Sequence, residues 1–288
     1  MNKVYIKIAL AILSVADYMQ NIAFARNYIS NINSSNEKGK HQLPSNPEEA
    51  KQAEEVMADV LDIAQQLAEH TDDYKLYYKI DEGAILYSKK VNNVKVGKLD
   101  LIIPNPDCYA DVVNMIWDPN GAANFDDTFI KGSIPQIYNQ NLLVIQQRYE
   151  SIVGPWDRYY HALANKVELS EDKTAILLVS SDMNDHCGSS LKNYVNPIVQ
   201  SANSFKPEID SQKDIRNGKL YKMYINLVAF FIKKEFDCIK ITYISSVSNL
   251  KVLIDANPPW FVPRIAVRKM TSIKIINIVK LRDIFKKK

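Results

Sequence analysis

Three β-type runs follow one another between residues 134 and 186, which read IPQIYNQNLLVIQQRYESIVGPWDRYYHALANKVELSEDKTAILLVSSDMNDH. Turn residues separate them, and aromatic residues cluster where the run at Arg158 begins. Strands joined by connections this short pair antiparallel with their neighbours. Such a segment builds a curved sheet wide enough to hold an apolar ligand, and the rest of the chain has to supply its cover.

The clearest cover is a helix. Asn46 suits its N-cap, Pro47 its first position, and Glu48 and Glu49 the positive end of its dipole. Ala53, Val56, Met57, Val60, Leu61, Ala64, Leu67 and Ala68 then form one apolar stripe that ends near His70. Tyr74, Leu76, Tyr78 and Ile80 alternate with Lys75, Tyr77 and Lys79, which predicts a half-buried strand. Two more strands are expected at 85–91 and 96–103, joined by Asn92-Asn93 and stopped by Pro104 and Pro106. Tyr109, Val112, Val113, Ile116 and Trp117 mark a second helix. Further strands are predicted at 130–138, 142–150, 158–169, 175–181, 220–232 and 239–247. The run at 220–232 also suits a helix, but its aromatics and its place between strands favour a strand. After Pro258-Pro259 a basic helix runs to Phe285, with Ala266, Met270, Ile273, Ile276 and Ile284 on one face. A mostly antiparallel sheet with segregated helices is an α+β domain.

Composition removes several function classes. A net charge of +3 is too small for a nucleic-acid binder. Neither G-x-G-x-x-G nor G-x-x-x-x-G-K occurs, which argues against a Gly-rich nucleotide site. The histidines, His41, His70, His161 and His186, lie far apart, so no zinc site and no other metal or cofactor is expected. His186 and Cys187 are neighbours, whereas the partners of a nucleophile come from separate segments. Asp182–Cys187 therefore reads as a polar loop, and no enzymatic chemistry is expected. Cys108, Cys187 and Cys238 allow one internal bridge at most. At the N-terminus, Lys3, the apolar stretch 8–16 and the pair Ala23 and Ala25 predict a signal peptide over 1–25. A polar leader over 26–46 and one domain over 47–288 would follow.

Several long stretches resemble one family. LYYKIDEGAILYSKK at 76–90, IPNPDCYADVVNMIWDPNGAANFDD at 103–127, NLLVIQQRYE at 141–150, YYHALANKVELSEDKTAILLVSSDMNDH at 159–186 and IDSQKDIRNGKLYKMYINLVAFFIKK at 209–234 are similar to the START-like domain of the rodent-malaria (Plasmodium) fam-a proteins. The resemblance covers most of the chain from about 46 to 247. It implies a START-like helix-grip fold, a curved antiparallel sheet around a long C-terminal helix with an internal lipid cavity. It also implies transfer of one phospholipid, phosphatidylcholine in the first instance, with transient contact at membrane surfaces. Secretion, and export toward the parasitophorous vacuole or host erythrocyte, belong to the same expectation, although the Arg-x-Leu-x-acid/Gln export motif is absent at Arg26. The alternative is an antigen or host-interaction module on the same fold, without lipid transfer.

A phospholipid headgroup calls for aromatic faces around its cation and an Arg on its phosphate. Trp156, Arg158, Tyr159, Tyr160 and His161 open one strand, and Arg148 and Tyr149 end the preceding one. Successive strand residues face opposite ways, so Tyr159 and Tyr160 cannot share a cavity. Trp260, Met270, Ile273 and Ile276 are expected to form part of the cavity wall from the C-terminal helix segment.

Overall fold

The computed structural model describes residues 46–70, 72–81, 83–151, 156–188, 193–247 and 277–286. The expected signal peptide, leader and all but the end of the last helix lie outside them. Helix α1 (Pro47–Glu69) starts as its sequence demands: Asn46 Oδ1 accepts the backbone N–H groups of Glu48 at 3.0 Å and Glu49 at 3.3 Å. Ala53, Val56, Met57, Val60, Ala64 and Leu67 form its buried stripe.

A ten-stranded sheet carries the molecule. Its strands are β1 (Lys75–Asp81), β2 (Ala84–Val91), β3 (Val94–Ile103), β4 (Phe129–Asn139), β5 (Leu142–Tyr149), β6 (Arg158–Ser170), β7 (Lys173–Val179), β8 (Tyr221–Lys222), β9 (Ile225–Lys234) and β10 (Ile239–Val247). They run in the order β1-β2-β3-β10-β9-β7-β6-β5-β4, with antiparallel neighbours throughout; β8 lies off this path, parallel to β6. The sheet is curved and open, with β1 and β4 at its edges. Asn92 and Asn93 make the β2–β3 turn with φ of 47° and 66°, left-handed values that asparagine tolerates.

Alternation divides the side chains between two layers. On the outer face, α1 packs over Val96, Val144, Leu163, Leu177, Leu227 and Phe231. The inner face carries Leu86, Leu99, Ile145, Ala162, Leu178, Val228, Phe230 and Ile241. Helix α2 (Tyr109–Trp117) covers part of it with Val112 and Val113, and Ile278, Val279 and Leu281 around helix α4 (Lys280–Phe285) cover another part. Lys98 is buried on the outer side and gives its ammonium to the Ala68 carbonyl at 2.9 Å. It supplies the cation that the last turn of α1 lacks.

Three expectations change. The run at 220–232 is strand, but it breaks at Met223-Tyr224 into β8 and β9. Strand β1 is not half-buried: every residue from Lys75 to Lys79 is exposed, because β1 is an edge and its register slips twice against β2. Ile284, placed on the apolar face of the last helix, is 41% exposed, and Ile278, Val279 and Leu281 are buried instead. Arg282 ties that helix to the β1–β2 turn through both oxygens of Asp81, and Asn105 Nδ2 reaches the Phe285 carbonyl at 3.0 Å.

Candidate functional site

The inner face is built from cross-strand pairs. Across the middle of the sheet, Leu178 pairs Val228, Ile176 pairs Phe230, Phe230 pairs Tyr243, Tyr243 pairs Leu99 and Leu99 pairs Leu86. Toward β5, Leu143 pairs Ala164 and Ile145 pairs Ala162. The floor is thus apolar, and small where Ala162 and Ala164 stand.

One end of this floor is polar. Gln147 pairs Tyr160 and Tyr149 pairs Arg158, so all four share the inner face. Gln147 Oε1 accepts both phenol hydroxyls, from Tyr149 at 2.7 Å and from Tyr160, and its amide N–H goes to the Pro119 carbonyl at 2.7 Å. The two rings stack with centroids 6.2 Å apart, and Phe129 meets Tyr149 edge-on at 5.5 Å. Arg158 donates one Nη2–H to the Glu150 carbonyl at 2.8 Å, while its buried Nε has no hydrogen-bond partner. Buried Asp126 accepts from the Thr128 hydroxyl at 2.7 Å and from its N–H at 3.1 Å. It also acts electrostatically on Arg158, Tyr149, Tyr160 and Tyr243. Burial pushes the Arg158 pKa down, and the negative charge of Asp126 opposes the shift. Burial likewise raises the phenols of Tyr149 and Tyr160, and that of Tyr243 to about 12, so all three remain neutral donors.

Known structures identify this architecture. Human StAR-related lipid transfer protein 5 superposes with a TM-score of 0.53 at 9% identity, over 79% of this chain and 92% of that one. Human STARD10 gives 0.52 at 12% identity, over 84% and 80%. The lipid transfer and protein localization domain of human StarD13 gives 0.51 at 10%, over 79% and 96%. The fold is START-like. No protein-family model and no curated protein matches the chain.

Within the START-like sheet the sequence-predicted residues divide. Arg158 and Tyr160 lie on the inner face. Trp156 stands just before β6 and is 50% exposed. Arg148, Tyr159 and His161 fall on the outer face, a consequence of strand alternation, and other partners occupy them there. Arg148 forms a two-pronged pair with Asp214 on helix α3 (Lys213–Arg216) and also bonds Gln212 at 3.0 Å. Tyr159 and His161 both meet Asp185 Oδ2, at 3.0 and 3.1 Å. Trp260, Met270, Ile273 and Ile276 lie outside the described residues.

Asp185 centres a second polar cluster. It is 2% exposed, and Lys222 Nζ reaches its Oδ1 at 2.8 Å and the Met183 carbonyl at 3.1 Å. Burial disfavours its charge, but the hydrogen bond from His161 and the charge of Lys222 prevail and hold the carboxyl well below the usual range. Burial lowers the His161 pKa against the pull of Asp185, so the ring is neutral and Nδ1–H donates. This cluster pins the segments after β7 and before β8 to the outer face.

Tyr149, read from the sequence beside Arg148, is on the inner face; sequence reasoning missed Asp126, Gln147 and Tyr243 there and Asp185 and Lys222 on the outer face. The two strand residues among the inner-face ones had a signal: once Tyr160 points inward, hairpin register brings Gln147 opposite, and Tyr243 shares the parity of Ile239 and Ile241. Asp126 had none.

Proposed function

We propose that the protein carries one phospholipid, phosphatidylcholine, on the inner face of its START-like sheet. The observation that carries this reading is Arg158: a half-buried guanidinium whose buried Nε has no hydrogen-bond partner, beside Tyr149 and Tyr160 at the polar end of an apolar floor. A phosphodiester suits Arg158, because charge-assisted hydrogen bonds are the strong ones. A quaternary ammonium suits the rings of Tyr149, Tyr160 and Tyr243 and the carboxylate of Asp126. Acyl chains suit the aliphatic floor, since most of a lipid ligand's surface must leave water. The carriage involves no covalent step. The solved neighbours named as lipid-transfer proteins support the lipid reading at the level of fold. The long sequence stretches quoted above support a place among the Plasmodium fam-a proteins, and the leader supports secretion.

Two measurements test the proposal. Native mass spectrometry of the purified protein should find one bound phospholipid, and the protein should move fluorescent phosphatidylcholine between vesicles. Arg158→Ala removes a charge-assisted contact and should weaken phosphatidylcholine binding by roughly 10- to 100-fold, the equivalent of about 1.5–3 kcal/mol. Protein with neither bound lipid nor transfer activity would sink the carrier reading in favour of an interaction module on this fold.

A further inference from the structure

The β1 edge presents a feature that the inner face does not explain. Leu76, Tyr77 and Tyr78 are consecutive and are 62%, 45% and 55% exposed. Single exposed apolar side chains are common, but three in a row on an open sheet edge are a liability that soluble proteins blunt. Lys75 and Lys79 bracket the three, and both are exposed. Exposed Lys90 and Lys95 come from the neighbouring strands, and the Lys95 ammonium stands 4.1 Å from the Tyr77 ring centre. Lys89 lies over the Tyr74 ring at 4.6 Å. The acidic groups nearby include Asp72 and Asp73 in the preceding turn, Asp100, which acts on Tyr74 and pairs with Lys98 at 3.8 Å, and Asp81, whose carboxylate is bound by Arg282.

The position matters as much as the composition. Pairing runs from the start of β1 to the end of β2, the start of β3, the end of β10, the start of β9, the end of β7 and so to the start of β6. Lys75 and Leu76 therefore lie at the same end of the sheet as Arg158, the polar corner and half-exposed Trp156.

We propose that the β1 edge docks on anionic phospholipid membranes, with Leu76, Tyr77 and Tyr78 entering the headgroup layer and Lys75, Lys79, Lys90 and Lys95 meeting the lipid phosphates. Tyrosine favours the membrane–water boundary, having an apolar ring and a polar tip. Lysines near an anionic surface add attraction that salt weakens. A second copy fits the edge less well. The sequence Lys75-Leu76-Tyr77-Tyr78-Lys79 has lysine at both ends. Antiparallel self-pairing about Tyr77 would set Lys75 against Lys79 twice, and like charges directly opposite are destabilising. This docking role rests on the carrier reading for its purpose, but membrane binding and lipid loading are separate observables.

The test is co-sedimentation of the full chain with vesicles of phosphatidylcholine, with and without phosphatidylserine, beside native mass spectrometry for bound lipid. The wild type should bind the phosphatidylserine vesicles in low salt and release from them in high salt. The charge variant Lys75→Glu/Lys79→Glu should lose at least about tenfold in affinity for them. Leu76→Ser/Tyr78→Ser should lose binding to a similar degree. Both should keep their lipid occupancy and the wild-type unfolding midpoint, since the replaced side chains are exposed. Unchanged sedimentation of both variants would overturn the docking role while leaving the carrier reading intact. So would a wild-type dimer in analytical ultracentrifugation that Leu76→Ser/Tyr78→Ser converts to monomer, because the edge would then pair with itself. Normal docking by protein without bound lipid would count against the carrier reading alone.

Discussion

At the scale of the residue, Asp185 has most to lose. Its carboxylate satisfies Tyr159, His161 and Lys222 at once in a site closed to water. Asp185→Asn would leave the Lys222 ammonium buried without a countercharge. The expected cost is about 3–5 kcal/mol in chemical denaturation. Adding Lys222→Met should recover much of it, because the second change removes the stranded charge. The acid response follows from the same atoms. His161 and Asp185 both have lowered folded-state pKa values, from ordinary values of 6.5 and 3.8. The unfolded chain therefore takes up protons before the folded one does. This stabilisation is full above 6.5, the ordinary His pKa, and declines as pH falls below it, first through His161 and below 3.8 through Asp185. Denaturation midpoints that rise on acidification would contradict this. Sequence alone could not show the cluster, since its members come from β6, β8 and the connection after β7. Asp182–Cys187 was legible as a loop, not as the place where one carboxylate turns inward.

At the scale of the element, local chemistry was the better guide. Helix α1 begins at the residue its cap predicts, and every buried position of its stripe was readable from spacing. Asn46→Ala should cost about 1 kcal/mol, visible as a lower denaturation midpoint. An unchanged midpoint would mean that Asn46 contributes no more than the solvent that would replace it. Strands gave weaker returns. The alternation through Tyr74–Ile80 has the pattern of a half-buried strand, yet β1 has only one neighbour, and bulges interrupt its register after Leu76 and after Lys79. Alternation reports which side chains share a face, and not whether anything covers that face. In 220–232, helical and strand patterns coincide, and the long-range ladders of β9 with β7 and β10 settle the matter.

At the scale of the whole molecule, the run of strands was legible, but their order in the sheet was not deducible from periodicity. The resemblance implied a curved antiparallel sheet, and the observed sheet agrees with that, while its strand order came from the structure alone. The proposed secretion makes its own prediction: protein recovered from its natural source should begin at or near Arg26, and an intact Met1 there would refute the leader. The two-faced build of β6 has a further consequence for how such a chain can change over generations. Its odd positions, Tyr159, His161 and Leu163, hold the scaffold together, while its even positions, Tyr160, Ala162 and Ala164, line the floor. Replacements at even positions can therefore reshape the inner face with the framework untouched. A one-residue insertion would instead exchange the two sets, sending His161 toward the inner face and burying alanines where the ion pair needs its partners. The strand admits divergence by substitution and forbids it by insertion.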